Sequence, residues 1–459
     1  ERPGGSGSKG PQIILLAKIE KRQETYFWNK MTHRAFSTVG GTVRRRKVGI
    51  LGCTGVVGQR FIQLLDKHPW FELHRVTASQ KSTGKQLKVF DPAHAAQDVL
   101  WKLPTPMPMQ VRDFPVLSAT IVDLEQSLDG CEVVFSALDS SIAGEAESAL
   151  AHRGYAVFSN AKNHRMDPNV PLLIPAANAP HIKIVPKRTP SKGQLPFSNC
   201  SGFIVTNANC ASTGLAIALA PLQQAFGVKQ MAVFTMQAVS GAGYPGVPSL
   251  DIMDNVIPYI GYPLRGNESF SGEEEKLETE LHKILGKPGG VGGVIQSLPA
   301  NDLIVSAHCN RVPVLDGNLV TSPLYSGHTE CVSIKFNKPG VTPAQVLDIN
   351  SVGNQVIDKL KSYQCPTKTM NLPMALPSSF PPIVVRVMAR QTLQYLENDD
   401  RPQPRLDRDN GQGFSVTVGR VRKCPLMDVK LTLLSHNTVV GAAGGSIFNA
   451  ELAVALGLC

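Results

Sequence analysis

The sequence predicts an α/β protein, with a doubly wound parallel sheet first and a second domain of α+β texture after it. Three observations carry this. A strand, a glycine-rich turn, an amphipathic helix and a second strand follow one another within "KVGILGCTGVVGQRFIQLLDKHPWFELHRVTAS", which is a βαβ unit. Strand-like runs recur at Cys131–Phe135 and Ala156–Ser159 with helical patterns around them, the sequence that lays helices on a parallel sheet. From about residue 229 the texture changes. Strands such as "QMAVFTMQAV", "IVSAHCNRVPV" and "CVSIKF" then alternate with long helices such as "EEEKLETELHKIL". The closing "GGSIFNAELAVAL" reads as a helix that packs back on the first domain.

At 459 residues, with 42% hydrophobic and 18% charged residues, the chain has room for two or three domains and a large core. No apolar run approaches the roughly 20 residues that span a bilayer, which argues against an integral membrane protein. The net charge of +10 is concentrated in residues 1–46, where ten Lys/Arg meet three Glu; that local +7 leaves +3 for the rest. The body is nearly balanced, so nucleic-acid binding is not expected. Nine cysteines without a C-x-x-C pair indicate reduced thiols in a reducing compartment. His308-Cys309 and His328-x-x-Cys331 are the nearest approach to a metal motif, but no second ligand pair has the right spacing. No metal is expected. Residues 1–46 form an appendage of linker composition followed by an Arg-, Ser- and Thr-rich stretch that faintly resembles an organelle transit peptide. Met31 is an alternative start. A cytoplasmic protein is expected, with an organellar location as the alternative.

Gly49, Gly52, Gly55 and Gly58 recur every third residue across the first strand-to-helix turn. Glycines there let the backbone approach a pyrophosphate, and the helix N-terminus adds N–H donors and partial positive charge. Close helix–strand packing explains the same glycines; their place inside a βαβ unit favours a Rossmann-like dinucleotide site. Gly52, Thr54, Gly55, Val56 and Val57 are its candidates. The second strand ends "VTASQKSTGK", with Ser79, Ser82, Lys81 and Lys85 and no acid to hold ribose hydroxyls. Hydroxyls and cations suit a 2′-phosphate, so NADP is the expected cofactor.

In "GFIVTNANCASTGLAIALAPL" the chain passes from strand to helix at Cys210. A thiol at a helix N-terminus feels a field worth up to about 2 kcal/mol, which would bring it to about 7 from its usual 8.5. The competing reading is a buried structural cysteine. Polar neighbours Asn207, Asn209, Ser212 and Thr213 favour the reactive one. A thiolate beside a hydride carrier points to aldehyde chemistry through a thioester.

Seven ordered motifs, "LGCTGVVGQ", "FSNAKNHRMD", "GFIVTNANCAST", "QAVSGAGYPGVPSLDI", "HCNRVPV", "GHTECVS" and "LSHNTVVGAAGG", resemble the aspartate-semialdehyde dehydrogenases of fungi and archaea, over nearly everything from Lys47 onward. The resemblance implies an NADP-binding domain over 47–209, a catalytic and dimerisation domain over 210–433, and a returning helix over 434–459. It implies reduction of L-aspartyl-4-phosphate by NADPH to aspartate semialdehyde and phosphate, or the reverse, on the route to lysine, threonine and methionine. Cys210 matches the nucleophile and His328 the general acid/base. Arg311 matches the residue that pairs with the substrate carboxylate, a planar fork on a planar anion. Glu273 and Lys276 match the acid and lysine that hold the ammonium and the phosphate, although acids in a first helical turn are favoured anyway. Asn163 and Arg165 are candidates for the phosphate, Gln237 for orienting substrate, and Ser240, Gly241 and Asn437 for the nicotinamide half of the cofactor. A homodimer or homotetramer is expected.

Three stretches interrupt the match: "YPLRGNESFSG" at 262–272, "NLVTSPLYSG" at 318–327 and "VMARQTLQYLE" at 387–397. They are surface loops or translated introns, and two lie beside catalytic residues, which favours introns. The rival readings are an N-acetylglutamyl-phosphate or malonyl-CoA reductase, and an inactive relative with a binding role. Arg311 with Glu273 and Lys276 favours a small zwitterionic amino acid over the first two.

Overall fold

β1 (Arg46–Leu51) enters the core directly, with Val48, Ile50 and Leu51 fully buried. It hydrogen-bonds in parallel to β2 (Phe71–Ala78) on one side and β4 (Val133–Ser136) on the other. With β3 (Val116–Ser118), β5 (Ala156–Ser159) and β6 (Phe203–Thr206) it completes a six-stranded sheet in the order β3-β2-β1-β4-β5-β6. Every pairing in it is parallel. This computed structural model describes residues 45–85, 101–103, 105–186, 202–243, 246–261, 271–312, 326–337, 351–367 and 392–459. All but two residues of the expected 1–46 extension lie outside those ranges.

The strand order reverses between β1 and β4, and crevices at such switch points take ligands in open α/β sheets. α1 (Val56–Leu65) follows the glycine turn and packs Phe61 on Phe135 of β4, ring centroids 4.8 Å apart. α2 (Ser140–His152) is capped by Asp139, whose carboxylate accepts from Ser141 N. Buried on both faces, the central strands carry continuous runs such as Val133–Phe135 instead of alternation.

The second sheet is mixed and has a covered and an open face. β7 (Val228–Ala238) lies between β8 (Ile304–Val312), parallel to it, and β9 (His328–Phe336), antiparallel. β12 (Val429–Ser435), β11 (Val416–Lys423) and β10 (Leu393–Leu396) continue the sheet beyond β9. α3 (Cys210–Phe226) and α4 (Gly272–Ile284) cover one face. Small residues allow close approach: a Cβ on Gly214 of α3 would lie 2.6 Å from Ser435 Oγ on β12. On the open face Phe234, Ile304, His308 and Cys331 are exposed, and Phe234 stacks on His308 at 5.1 Å. Strand alternation thus puts His308 and Cys331 on the opposite face from Cys309 and His328. Among the described residues no group of three His, Cys, Asp or Glu side chains could hold a metal.

α6, the last helix, is numbered after α5 (Ser351–Ser362) and spans Gly444–Ala455. It packs on the first sheet, where Glu451 meets His68 Nε2 at 3.0 Å. The His68 ring accepts the backbone N–H groups of Trp70 and Phe71 at Nδ1, so its proton faces Glu451.

The interrupting stretches differ from expectation where they are described. Leu393–Leu396, inside 387–397, forms β10 in parallel register with β11, with Leu393 buried. These residues are part of the sheet, not an excursion from it. Ser271 and Gly272 begin α4, with Ser271 as N-cap in a capping box with Glu274. The remainder of 262–272, nearly all of 318–327 and residues 387–391 lie outside the described residues.

Candidate active site

Cys210 is the first residue of α3, and Asn209 before it is the N-cap, its side-chain oxygen accepting from the N–H groups of Ala211 (2.9 Å) and Ser212 (3.3 Å). Cys210 as a residue is half-buried. Its sulfur lies 3.1 Å from His328 Nε2. Behind it, a Cβ on Gly441 would come within 2.9 Å of the Cys210 Cβ, so only glycine lets the C-terminal turn close on the nucleophile.

His328 is fully buried at the start of β9. Strand register sets Arg311, Gln237, His328 and Ser435 in one row across β8, β7, β9 and β12. Ala238 N–H donates to His328 Nδ1 at 3.2 Å, which leaves the ring's proton on Nε2, toward the sulfur. Burial pushes the imidazole down to about 4, with Glu273 pulling it up and Arg311 adding to the depression.

Burial also pushes the Cys210 thiol up, to about 12, and Glu273 adds to this while Lys276 and Arg165 oppose it. The expectation of a thiol near 7 is therefore corrected. A helix terminus contributes up to about 2 kcal/mol, and removal from water outweighs it.

Around the sulfur stand four charged side chains. Glu273 turns inward from the first turn of α4 and accepts from Asn209 Nδ2 (2.7 Å) and Lys276 Nζ (3.0 Å). Burial alone would raise its carboxyl; Lys276, Asn209 and His328 outweigh that and hold it at about 2. Glu274 fills the capping role that a first-turn acid usually serves, which frees Glu273 for the site. Arg311, 7% exposed, donates to the carbonyl of Ala238 at 3.1 Å. Arg165 donates to Glu280 (2.9 Å) and to the carbonyl of Asn160 (2.8 Å).

Gln237 sits between Arg311 and His328 in the row, and among the described residues its amide makes only long contacts, 3.4 Å to Thr235 Oγ1 and 3.9 Å to Cys309 Sγ. Asn163 is not brought to the cluster. It is exposed, and its amide donates to the Ser140 carbonyl at 2.9 Å, against α2. Asn209, read from the sequence only as a polar neighbour of the thiol, is the helix cap and the partner of Glu273. Its signal was present, an Asn immediately before the first helical residue.

The cofactor end is built by backbone. Gly52 has φ +77, and a Cβ there would meet the Ala137 carbonyl at 2.6 Å; one on Gly58 would lie 2.1 Å from the Gly52 carbonyl. Gly52 N and Cys53 N both donate to the Thr77 carbonyl at 2.9 Å, which pins the turn to the end of β2. α1 has Gly55 at its N-cap and no acid in its first turn, so the N–H groups of Val56 and Val57 meet no helical acceptor. Thr54 lies in the same turn and its carbonyl takes the Gln59 amide at 3.0 Å. Ser79 stands at the N-cap position of the short helical turn that ends at Ser82, just past β2. This cradle fits a dinucleotide with a phosphate on its ribose. At the other end Asn437 Nδ2 donates to Ser240 Oγ (2.9 Å) and its Oδ1 accepts from Gly327 N (2.9 Å). A Cβ on Gly241 would lie 3.5 Å from the His328 ring and 3.7 Å from Arg311. Gly241 thus lies against the histidine and arginine of the site, and Asn437 ties Ser240 to Gly327, the residue before that histidine.

A dinucleotide-type glycine turn together with a cysteine–histidine pair ringed by charge defines a thiol-dependent dehydrogenase. Comparison with known proteins narrows this. The semialdehyde dehydrogenase NAD-binding domain matches residues 47–185 and the semialdehyde dehydrogenase dimerisation domain matches 219–440. The aspartate-semialdehyde dehydrogenase of Cryptococcus neoformans is 42% identical, over 90% of this chain and 98% of that one. That of Archaeoglobus fulgidus is 39% identical over 89% and 98%. The crystal structure of the Candida albicans aspartate-semialdehyde dehydrogenase with NADP superposes with a TM-score of 0.71 at 38% identity, covering 90% of this chain and all of that one. The chain belongs to the aspartate-semialdehyde dehydrogenase family.

Proposed function

We propose that this chain reversibly converts L-aspartyl-4-phosphate and NADPH into L-aspartate 4-semialdehyde, phosphate and NADP, in lysine, threonine and methionine biosynthesis. The observation that carries the reading is the 3.1 Å contact between Cys210 Sγ and His328 Nε2 at a helix N-terminus, among Glu273, Lys276, Arg165 and Arg311. The cofactor is NADP, held by Gly52, Thr54, Gly55, Val56 and Val57 at the pyrophosphate, by Ser79 and Ser82 at the extra phosphate, and by Ser240, Gly241 and Asn437 at the nicotinamide. Bound there, it supplies or takes the hydride.

The residues of the chain do the rest. Arg311 takes the substrate α-carboxylate and Glu273 its ammonium, while Lys276 and Arg165 take the phosphate. Cys210 Sγ attacks the acyl carbon, the bond to the phosphate oxygen breaks, and a thioester forms. The proton that leaves the thiol balances on the departing phosphate. His328 holds its Nε2–H toward the sulfur and the oxyanion that develops beside it, where a buried donor stabilises charge most. Gln237, between the arginine and the histidine, orients the acyl group.

The rival readings as N-acetylglutamyl-phosphate or malonyl-CoA reductase are not favoured, since the relatives above share one name and the site offers paired groups for an ammonium and a carboxylate. An inactive relative is not favoured either, because the cysteine–histidine contact is intact. The open face of the second sheet, a depression lined by Phe234, His308, Cys331, Arg422 and Lys430 among others, is the place for a second copy; the dimerisation-domain match supports a homodimer or homotetramer. No helix of the described residues is long and apolar enough to cross a membrane, and a cytoplasmic location belongs to the proposal.

The test is turnover. NADPH should form from NADP and aspartate semialdehyde only when phosphate is present. Turnover with N-acetylglutamate semialdehyde or malonyl-CoA instead would move the assignment to those enzymes.

A further inference from the structure

α4 carries a second pair of charged residues that the proposed reaction leaves unused. Glu273, Lys276, Glu280 and Lys283 follow at spacings of three, four and three, which places them on one stripe of the helix. The first two reach the substrate end. The last two are buried deeper, at 2% and 1% exposure. Glu280 divides its carboxylate between two elements. Oε1 accepts from Arg165 Nη1 at 2.9 Å, and Oε2 accepts from the backbone N–H of Asn209 at 2.7 Å. Lys283 Nζ donates to the carbonyls of Arg165 (2.6 Å), Asp167 (2.6 Å) and Val170 (2.8 Å), closing the loop that carries the arginine.

A buried ion pair is a poor source of stability, since desolvating both charges offsets much of their attraction. This pair does have a geometric consequence. Arg165 commits two of its five N–H donors to Glu280 and Asn160, and its buried Nε has no partner among the described residues. The guanidinium is oriented yet keeps donors for an anion. Asn209, on the other oxygen, is the residue before the nucleophile, and its side chain is held by Glu273 on the same stripe. One carboxylate therefore ties the arginine to the helix cap beneath Cys210.

We propose that Glu280 is the positioning residue of the phosphate subsite: it fixes the Arg165 guanidinium relative to the Cys210 thiol, and Lys283 holds the loop that presents the arginine. This rests on the reading of Arg165 as a phosphate ligand. An acyl phosphate reacts well only if its phosphate and its acyl carbon are placed together, because misplacement by about 1 Å can cost a hundredfold in rate.

The experiment measures KM for phosphate and for aspartate semialdehyde separately in the full-length enzyme, for wild type, Glu280→Gln, Arg165→Met and the double variant. Glu280→Gln should raise the phosphate KM by about tenfold, the size of one charge-assisted hydrogen bond. The semialdehyde KM should stay within about twofold. The double variant should be no worse for phosphate than Arg165→Met alone, the signature of residues acting as a unit. If Arg165→Met raises the phosphate KM and Glu280→Gln leaves it unchanged, the positioning role is overturned while the phosphate reading stands. If neither raises it, the reading of Arg165 fails as well. Equal losses for both substrates mean a structural role only and also overturn the proposal. Should the neutral variant not fold, Glu280→Asp keeps the charge, shortens the reach so that one partner is lost, and is judged by the same split.

Discussion

At Cys210 two effects of opposite sign meet, and the larger one is invisible in the sequence. The helix terminus that favours the anion is legible, because strand residues stop and helical spacing starts at the cysteine. The burial that disfavours it comes from Gly441, His328 and the row across the second sheet, all far along the chain. The thiol is therefore protonated at neutral pH, and the imidazole, pushed down to about 4, is neutral there too. For the thiol, whose value rises on folding, the anion gains ground only in alkali; for the histidine, whose value falls, the cation appears only in strong acid. Two outcomes follow. The thiolate absorbance of Cys210, read as wild type minus Cys210→Ser, should be absent at pH 7 and grow only in alkali. Turnover should show no break near pH 6.5, the ordinary histidine value. A thiolate signal at pH 7 would contradict this account of burial. Asn163 shows the opposite lesson. It shares a motif with Arg165, but two residues along a turn point different ways, and Asn163 faces α2. The helix that carries Glu280 and Lys283 was legible, yet nothing in the chain said that Arg165 lies opposite them. Glu330, two residues beyond His328, is fully buried, neither oxygen has a hydrogen-bond partner among the described residues, and burial, with Glu273 adding to it, pushes its carboxyl well above the usual range.

Among the elements, the βαβ unit was the most legible, because its glycines, its period change and its following strand agree with one another. The structure shows why two of these glycines are there. Gly52 needs its left-handed backbone, and Gly58 lets α1 descend onto the turn, with no room for a methyl 2.1 Å from the Gly52 carbonyl. Gly58→Ala should lower stability by about 1–3 kcal/mol, as overpacking does, and weaken NADP binding more than semialdehyde binding. Thermal unfolding and a cofactor titration check the two parts; an unchanged melting temperature would show that the turn relaxes freely. β10 was the least legible. It is short, at an edge, and lies within a stretch that interrupts the family match, so Leu393–Leu396 read as an excursion until their pairing with β11 showed otherwise. His328 was legible as a residue, but not as the first residue of a strand whose register hands it Gln237 and Ser435 as neighbours.

Across the whole molecule, the site exists only where distant parts of the chain converge. The nucleophile comes from the junction of the two sheets, its histidine from the second sheet, its arginine partner from a loop after β5, and the backbone behind it from the C-terminal turn. α6 then returns to the first sheet and is held there by Glu451 against His68 and by Asn449, which donates to the carbonyl of Leu173 at 3.2 Å. The two domains are thus joined at both ends around the thiol, which is what a reaction passing between a cofactor and a cysteine requires. The central claim is that this thiol carries the acyl group. Rapid-quench mass spectrometry after mixing the enzyme with aspartyl phosphate, without NADPH, should find an aspartyl thioester on the peptide containing Cys210. Cys210→Ser should show none while still binding NADP. An acyl group on another residue, or phosphate released with no adduct on Cys210, would contradict the account.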